Sequence, residues 1–63
     1  MKRKVLKLLN VNRLVGWGSC VPKPPESLIG KFVTITRPLI AWDGCWVKYK
    51  KEKYVLANEE IGL

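Results

Sequence analysis

The sequence predicts a mainly β fold: a small barrel of about five short antiparallel strands with a long first loop. Three observations predict it. Phe32-Val33-Thr34-Ile35-Thr36 is an unbroken aromatic and β-branched run, and such side chains fit a pleated, half-buried surface. Cys45 to Lys50 alternates, with Cys45, Val47 and Tyr49 on one face and Trp46, Lys48 and Lys50 on the other. Prolines and turn-forming dipeptides bound these runs, and 63 residues suffice for a single small domain, residues 1–63.

The elements run in order along the chain. Residues Val5 to Val15 fit two readings. As a short helix, Val5, Leu8 and Leu9 share a face opposite Arg3, Lys7 and Asn10. As a strand, Leu6 and Leu8 face one way and Val5, Leu9 and Val11 the other. Asn10 and Asn12 suit neither interior, and the β-branched Val5, Val11 and Val15 favour the strand. Gly16 to Gly30 reads as a long loop. Gly16-Trp17-Gly18-Ser19 punctuates it, and Pro22-Lys23-Pro24-Pro25 is held extended because each proline fixes its own φ and disfavours α in the residue before it. One helical turn over Pro25–Gly30 is expected, stopped by Gly30. The strand Phe32–Thr36 ends at Arg37-Pro38. Leu39 to Ala41 leads to Trp42-Asp43-Gly44, where Asp-Gly signals a turn. The strand Cys45–Lys50 meets a tight turn at Lys51-Glu52 and returns as Lys53–Ala57. A last helical turn over Asn58-Glu59-Glu60 has Asn58 as its cap.

Composition excludes several functions. No histidine is present, so there is no imidazole base and no Ser-His-Asp or Cys-His nucleophile. Two cysteines without histidine do not complete a four-ligand zinc site within one chain. Cys20 and Cys45 form no C-x-x-C pair. Both are expected as reduced thiols, the alternative being a disulfide in an oxidising compartment. The five carboxylates form no evident catalytic pair, and no phosphate-cradling glycine motif is present. No enzyme, cofactor, metal or small-molecule substrate is therefore expected. Met1-Lys2-Arg3-Lys4 resembles a leader's basic start, but Lys7, Asn10, Asn12 and Arg13 interrupt the apolar stretch that a leader needs next. No run of about 18 apolar residues is long enough to span a membrane. A cytoplasmic protein with no membrane contact is expected.

The second half resembles the Src-homology-3-like small barrels. Asp43-Gly44-Cys45-Trp46-Val47-Lys48-Tyr49 resembles the family's Asp-Gly-Trp-Trp entry to its third strand. Gly30-Lys31-Phe32-Val33-Thr34-Ile35 is similar to its glycine-led second strand, and Tyr54-Val55-Leu56-Ala57-Asn58 to its fourth strand and the turn after it. The resemblance covers residues 30–63 and is one of pattern. The family's Ala-Leu-Tyr-Asp-Tyr, its Pro-Ser-Asn-Tyr and its acidic first loop are absent. Of the family's peptide site only Trp46 carries over. The resemblance implies the barrel architecture, and small barrels of this kind serve nucleic acids, ribosomal partners and protein docking alike.

Function is narrowed by charge. Twelve Lys and Arg against five Asp and Glu leave a net charge of +7, which favours an anionic partner. Trp46, Lys48 and Lys50, with Lys51 and Lys53 about the turn, form a basic-aromatic face. Lysines neutralise phosphates and an exposed tryptophan stacks on bases; the bland alternative is a core tryptophan beside solvated edge lysines. Lys2, Arg3, Lys4 and Lys7 form a second basic cluster, which is otherwise a solubilising terminus. Pro22-Lys23-Pro24-Pro25 satisfies P-x-x-P but reads first as a rigid connector. Trp17 and Trp42 are loop tryptophans that either cap the barrel or anchor an interface. The expected function is therefore a non-catalytic module that contacts nucleic acid through Trp46, Lys48, Lys50, Lys51 and Lys53, aided by Lys2, Arg3 and Lys4. The alternative is a small accessory protein, of the size phages encode, that docks an acidic surface of a larger host or viral protein through Trp17, Trp42 and Trp46. A chain this short is also a candidate for self-association.

Overall fold

The computed structural model describes residues 1–16, 18–40 and 42–63. It is a small all-β fold with antiparallel strands. The strands are β1 (Lys2–Lys4), β2 (Arg13–Gly16), β3 (Ser19–Val21), β4 (Phe32–Pro38), β5 (Gly44–Tyr49) and β6 (Glu52–Ala57), with 3₁₀ turns at Glu26–Leu28 and Asn58–Ile61. They form a four-stranded sheet, ordered β1-β4-β5-β6, and a separate β2-β3 hairpin. The expected barrel is thus mainly β but not closed. No helix among the described residues is long and apolar enough to cross a membrane.

The ambiguous segment is neither one helix nor one strand. The chain makes β1, leaves regular structure through residues 5–12, and re-enters at β2. The stretch is nonetheless pinned. Val5 donates its N–H to the Lys31 carbonyl at 2.9 Å and accepts from Gly30 at 2.8 Å, and Leu6 donates to the Glu60 carbonyl at 2.8 Å. These bonds lodge Val5 in the core and satisfy backbone groups that no ladder serves.

The long loop holds a strand that propensity does not signal. Ser19–Val21 pairs with β2 through Arg13↔Val21 and Leu14↔Cys20. The helical turn expected over Pro25–Gly30 is the 3₁₀ turn Glu26–Leu28, whose Leu28 is buried. The final turn differs in its cap. Ala57, not Asn58, occupies the cap position, and the Glu60 carboxylate accepts from its N–H.

β4 runs two residues beyond the expected Thr36, because Arg37 and Pro38 still pair, with Trp46 and Cys45. The β5–β6 turn lies at Lys50-Lys51, one residue earlier than expected, with Tyr49 opposite Glu52. Lys50 takes a left-handed φ of 55° there, so it belongs to the turn and not to the strand.

The core lies on one face of the large sheet. Val5, Leu28, Val33, Cys45, Val47, Leu56 and Ile61 are buried together, with Leu8, Ile35, Tyr49 and Tyr54 packed against them. Each buried aliphatic side chain contributes about 1.5–3 kcal/mol. Gly44 marks the tightest approach: a Cβ there would lie 2.9 Å from the Leu56 carbonyl oxygen.

Cys20 is exposed and Cys45 buried, and both are free thiols, so the disulfide alternative is not adopted.

Candidate nucleic-acid interface

The face opposite the core carries the basic residues. Register decides which ones. Lys2 lies opposite Thr34, Thr34 opposite Lys48, and Lys48 opposite Lys53. Directly opposed residues project to the same side of a sheet. The four therefore form one rung across the whole sheet, about 14 Å from end to end. Lys2, Lys48 and Lys53 are all exposed. One step along, Lys4 lies opposite Phe32, and Phe32 is 63% exposed. No described strand position on this face is acidic.

The sheet order thus joins two clusters that are separate in sequence. Lys2 and Lys4 from the N-terminus share a face with Trp46, Lys48 and Lys53, because β1 sits beside β4 and β4 beside β5.

Two expected members are placed differently. Arg3 alternates to the other side, opposite Val33. Its Nε donates to the Ile61 carbonyl at 3.1 Å and its Nη2 to the Gly62 carbonyl at 2.6 Å. It therefore holds the final turn by its free carbonyls, as a cation at a helical C-terminus can. Lys50 reaches over the Tyr49 ring, 5.5 Å from its centroid. Lys51 is exposed in the turn, at the rim of the face. Beyond the face, Lys7 is bonded to Glu59 at 3.2 Å.

Arg37 is a member that alternation hides. Counting from Val33 would point it toward the core. A bulge between Ile35 and Arg37 shifts the register, so Arg37 lies opposite Trp46. A bulge inserts one residue and re-aims those beyond it. The Arg37 guanidinium carbon then stands 5.8 Å from the Trp46 ring centroid. The displaced Thr36 hydroxyl donates to the Trp46 carbonyl at 3.2 Å. Phe32 is marked by its sequence context only as a strand former; no residue pattern near it signals an outward ring, which the Lys4 pairing reveals.

An apolar cleft of about 730 Å³ adjoins Trp46. Val15 and Gly16 of the hairpin line it together with Pro38, Leu39 and Ile40, and Arg37 also borders it.

The other tryptophans divide. Trp42 is half-buried and donates its indole N–H to the Leu14 carbonyl at 2.7 Å, tying its loop to the hairpin. Trp17, like Ala41, lies outside the described residues. Within Pro22-Lys23-Pro24-Pro25, Pro24 is buried, which fits a connector.

The acids sit elsewhere. Glu59 holds Lys7, Glu26 lies 4.0 Å from Lys23, and Glu60 is enclosed with Arg13. Glu52 pairs opposite Tyr49, on the alternate side of β6 from Lys53. Among the described residues, no three His, Cys, Asp or Glu side chains gather as metal ligands.

The chain matches no family model, no curated protein and no solved structure. The face presents its cations in one rung, with the exposed Phe32 toward one end and the half-buried Trp46 toward the other.

Proposed function

We propose that this chain is a non-catalytic binding module that contacts nucleic acid, in the cytoplasm, through the outer face of its four-stranded sheet. The observation that carries this reading is the rung Lys2–Thr34–Lys48–Lys53. Like charges directly opposite one another across a ladder are destabilising. Lys48 faces Lys53 with no described acid beside them on that side of the sheet. A chain of phosphates laid over the rung offsets that repulsion and releases its own counterions. The β4-β5-β6 meander followed by a 3₁₀ turn supports a Src-homology-3-like reading of the fold, with Trp46 at the start of the strand that would carry the site.

The test is a binding titration of Lys48→Ala/Lys53→Ala against oligonucleotides over a range of salt. Both side chains are exposed, so the fold should survive, which circular dichroism checks. For single strands, the slope of log affinity against log salt should shrink by about 0.7 for each phosphate no longer neutralised. Unchanged affinity and slope would sink the assignment.

The alternative, an accessory protein docking on a larger partner, has one observation in its favour. The cleft beside Trp46 is apolar, and Ile40 at its edge is wholly exposed. Of the expected anchors, Trp42 is already committed to Leu14. Docking there would survive moderate salt, whereas phosphate binding would not.

A further inference from the structure

We infer that the ligand of this face is single-stranded, with bases stacked at two stations that flank the lysine rung: Phe32 at one end, and Trp46 with its cleft at the other. The inference rests on the nucleic-acid reading above and narrows its ligand class.

The deciding question is which surfaces a ligand can satisfy. Lysines serve the phosphates of a duplex and a single strand alike, so the rung alone does not discriminate. The aromatic and apolar surface does. In a duplex the bases are already stacked on each other, and an exposed ring gains nothing from the backbone that the duplex presents. A single strand has free base faces to offer.

Phe32 is a large ring, 63% exposed, held on a rigid strand between lysines and not on a loop. Its neighbour across the ladder is Lys4, and Thr34 two residues on brings the rung. Leaving such a ring in water is a cost with no return inside the fold, since Phe32 has no place in the core cluster.

At the other end, the Arg37 guanidinium lies over the Trp46 ring and beside the cleft. A guanidinium plane is itself a stacking surface for an unpaired base, and a donor to phosphate. Val15, Leu39 and Ile40 give that base apolar walls. Along the strands, Phe32 and Trp46 are separated by about four residue rises, roughly 13 Å. A short run of nucleotides crosses that distance with its phosphates over Lys48 and its neighbours.

The experiment is fluorescence anisotropy with labelled oligothymidylate and oligouridylate of about 12 nucleotides, beside a duplex of the same length. The proteins are the wild type, Phe32→Ala and Phe32→Leu; leucine keeps apolar bulk but not the flat ring. Phe32 is exposed, so both variants should fold. Arg37→Ala combined with Ile40→Ser probes the Trp46 end, where both side chains are exposed too.

The wild type should prefer the single strands by about ten-fold or more. Both Phe32 variants should lose roughly 5- to 100-fold of single-strand affinity and leave duplex binding within about two-fold. The two homopolymers tell DNA from RNA. A duplex bound as tightly as the single strands, or Phe32 variants indistinguishable from wild type, would overturn the stacking stations while the lysine rung stands. No binding by any of these probes at low salt would overturn the rung as well.

Discussion

The guanidinium of Arg13 and the carboxylate of Glu60 meet at 2.6 Å with neither side chain reaching solvent. They join segments remote in sequence and close almost every valence around them. Glu60 Oε1 accepts from Arg13 Nη1 and from the Ala57 N–H; Oε2 accepts from Arg13 Nη2 and the Leu9 N–H. Arg13 also donates to the Val55 and Leu9 carbonyls; only its Nε lacks a partner among the described residues. The pair anchors the irregular segment and β2 to the end of β6. A buried pair is a poor source of net stability, but losing one partner strands the other charge.

Glu60→Ala should therefore be severe. Breaking a buried pair costs about 3–5 kcal/mol, and a core this small rarely supplies more than that in total, about 3–5 kcal/mol. The variant should be largely unfolded at room temperature by circular dichroism. Arg13→Met/Glu60→Leu should recover part of the loss, because no lone charge stays buried, though the Leu9 and Ala57 N–H groups still lack their acceptor. A Glu60→Ala protein that melts like wild type would refute the anchoring role.

The same carboxylate sets an acid limit. Burial pushes the Glu60 carboxyl up, but its hydrogen bonds with Arg13, Ala57 and Leu9 and the Arg13 charge outweigh that, and its pKa lies below the ordinary value. A carboxyl depressed in the folded state contributes stability that is complete above its unfolded pKa, about 4.3. That contribution is lost as pH falls through the folded pKa. The melting temperature should hold down to about pH 5 and fall below about pH 4.3. Glu60→Gln should start lower and fall less over the acid range; a parallel decline in both would place the acid sensitivity elsewhere.

The two thiols should differ in reactivity. Cys20 is exposed on β3, whereas Cys45 is buried beneath the sheet, and burial pushes its pKa up. The thiolate is the reactive form. A chromogenic disulfide reagent near pH 8 should titrate one thiol quickly and the second only after denaturant is added. Loss of the fast phase in Cys20→Ser assigns it; two thiols of equal rate would contradict the packing of β5.

Much of the fold is legible in the sequence because local pattern carries it. The β-branched run at Phe32 and the alternation from Cys45 each reflect a single element's own preference for a two-sided pleat, whereas Asp43-Gly44, which reads as a turn, has its glycine inside β5 opposite Ala57. The inward set Cys45, Val47 and Tyr49 and the outward set Trp46 and Lys48 come from period alone. Features that need a second strand are not legible. Arg37 faces Trp46 only because a bulge changes its side, and Ser19–Val21 becomes a strand only because β2 lies beside it.

The candidate face divides along the same line. By itself the sequence determined that the chain is basic, lacks an imidazole, and builds at least one strand with lysines on its outer side, since these are properties of composition and of neighbours along one chain. Only the tertiary structure decided that Lys2 and Lys4 share that side, that Arg3 is spent on the final turn, and that Phe32 stands exposed among lysines. It also decided that Arg13 and Glu60 are enclosed together. The physical reason is that strand order and register set these relationships, and both arise from burying one common core, which no local stretch of residues encodes.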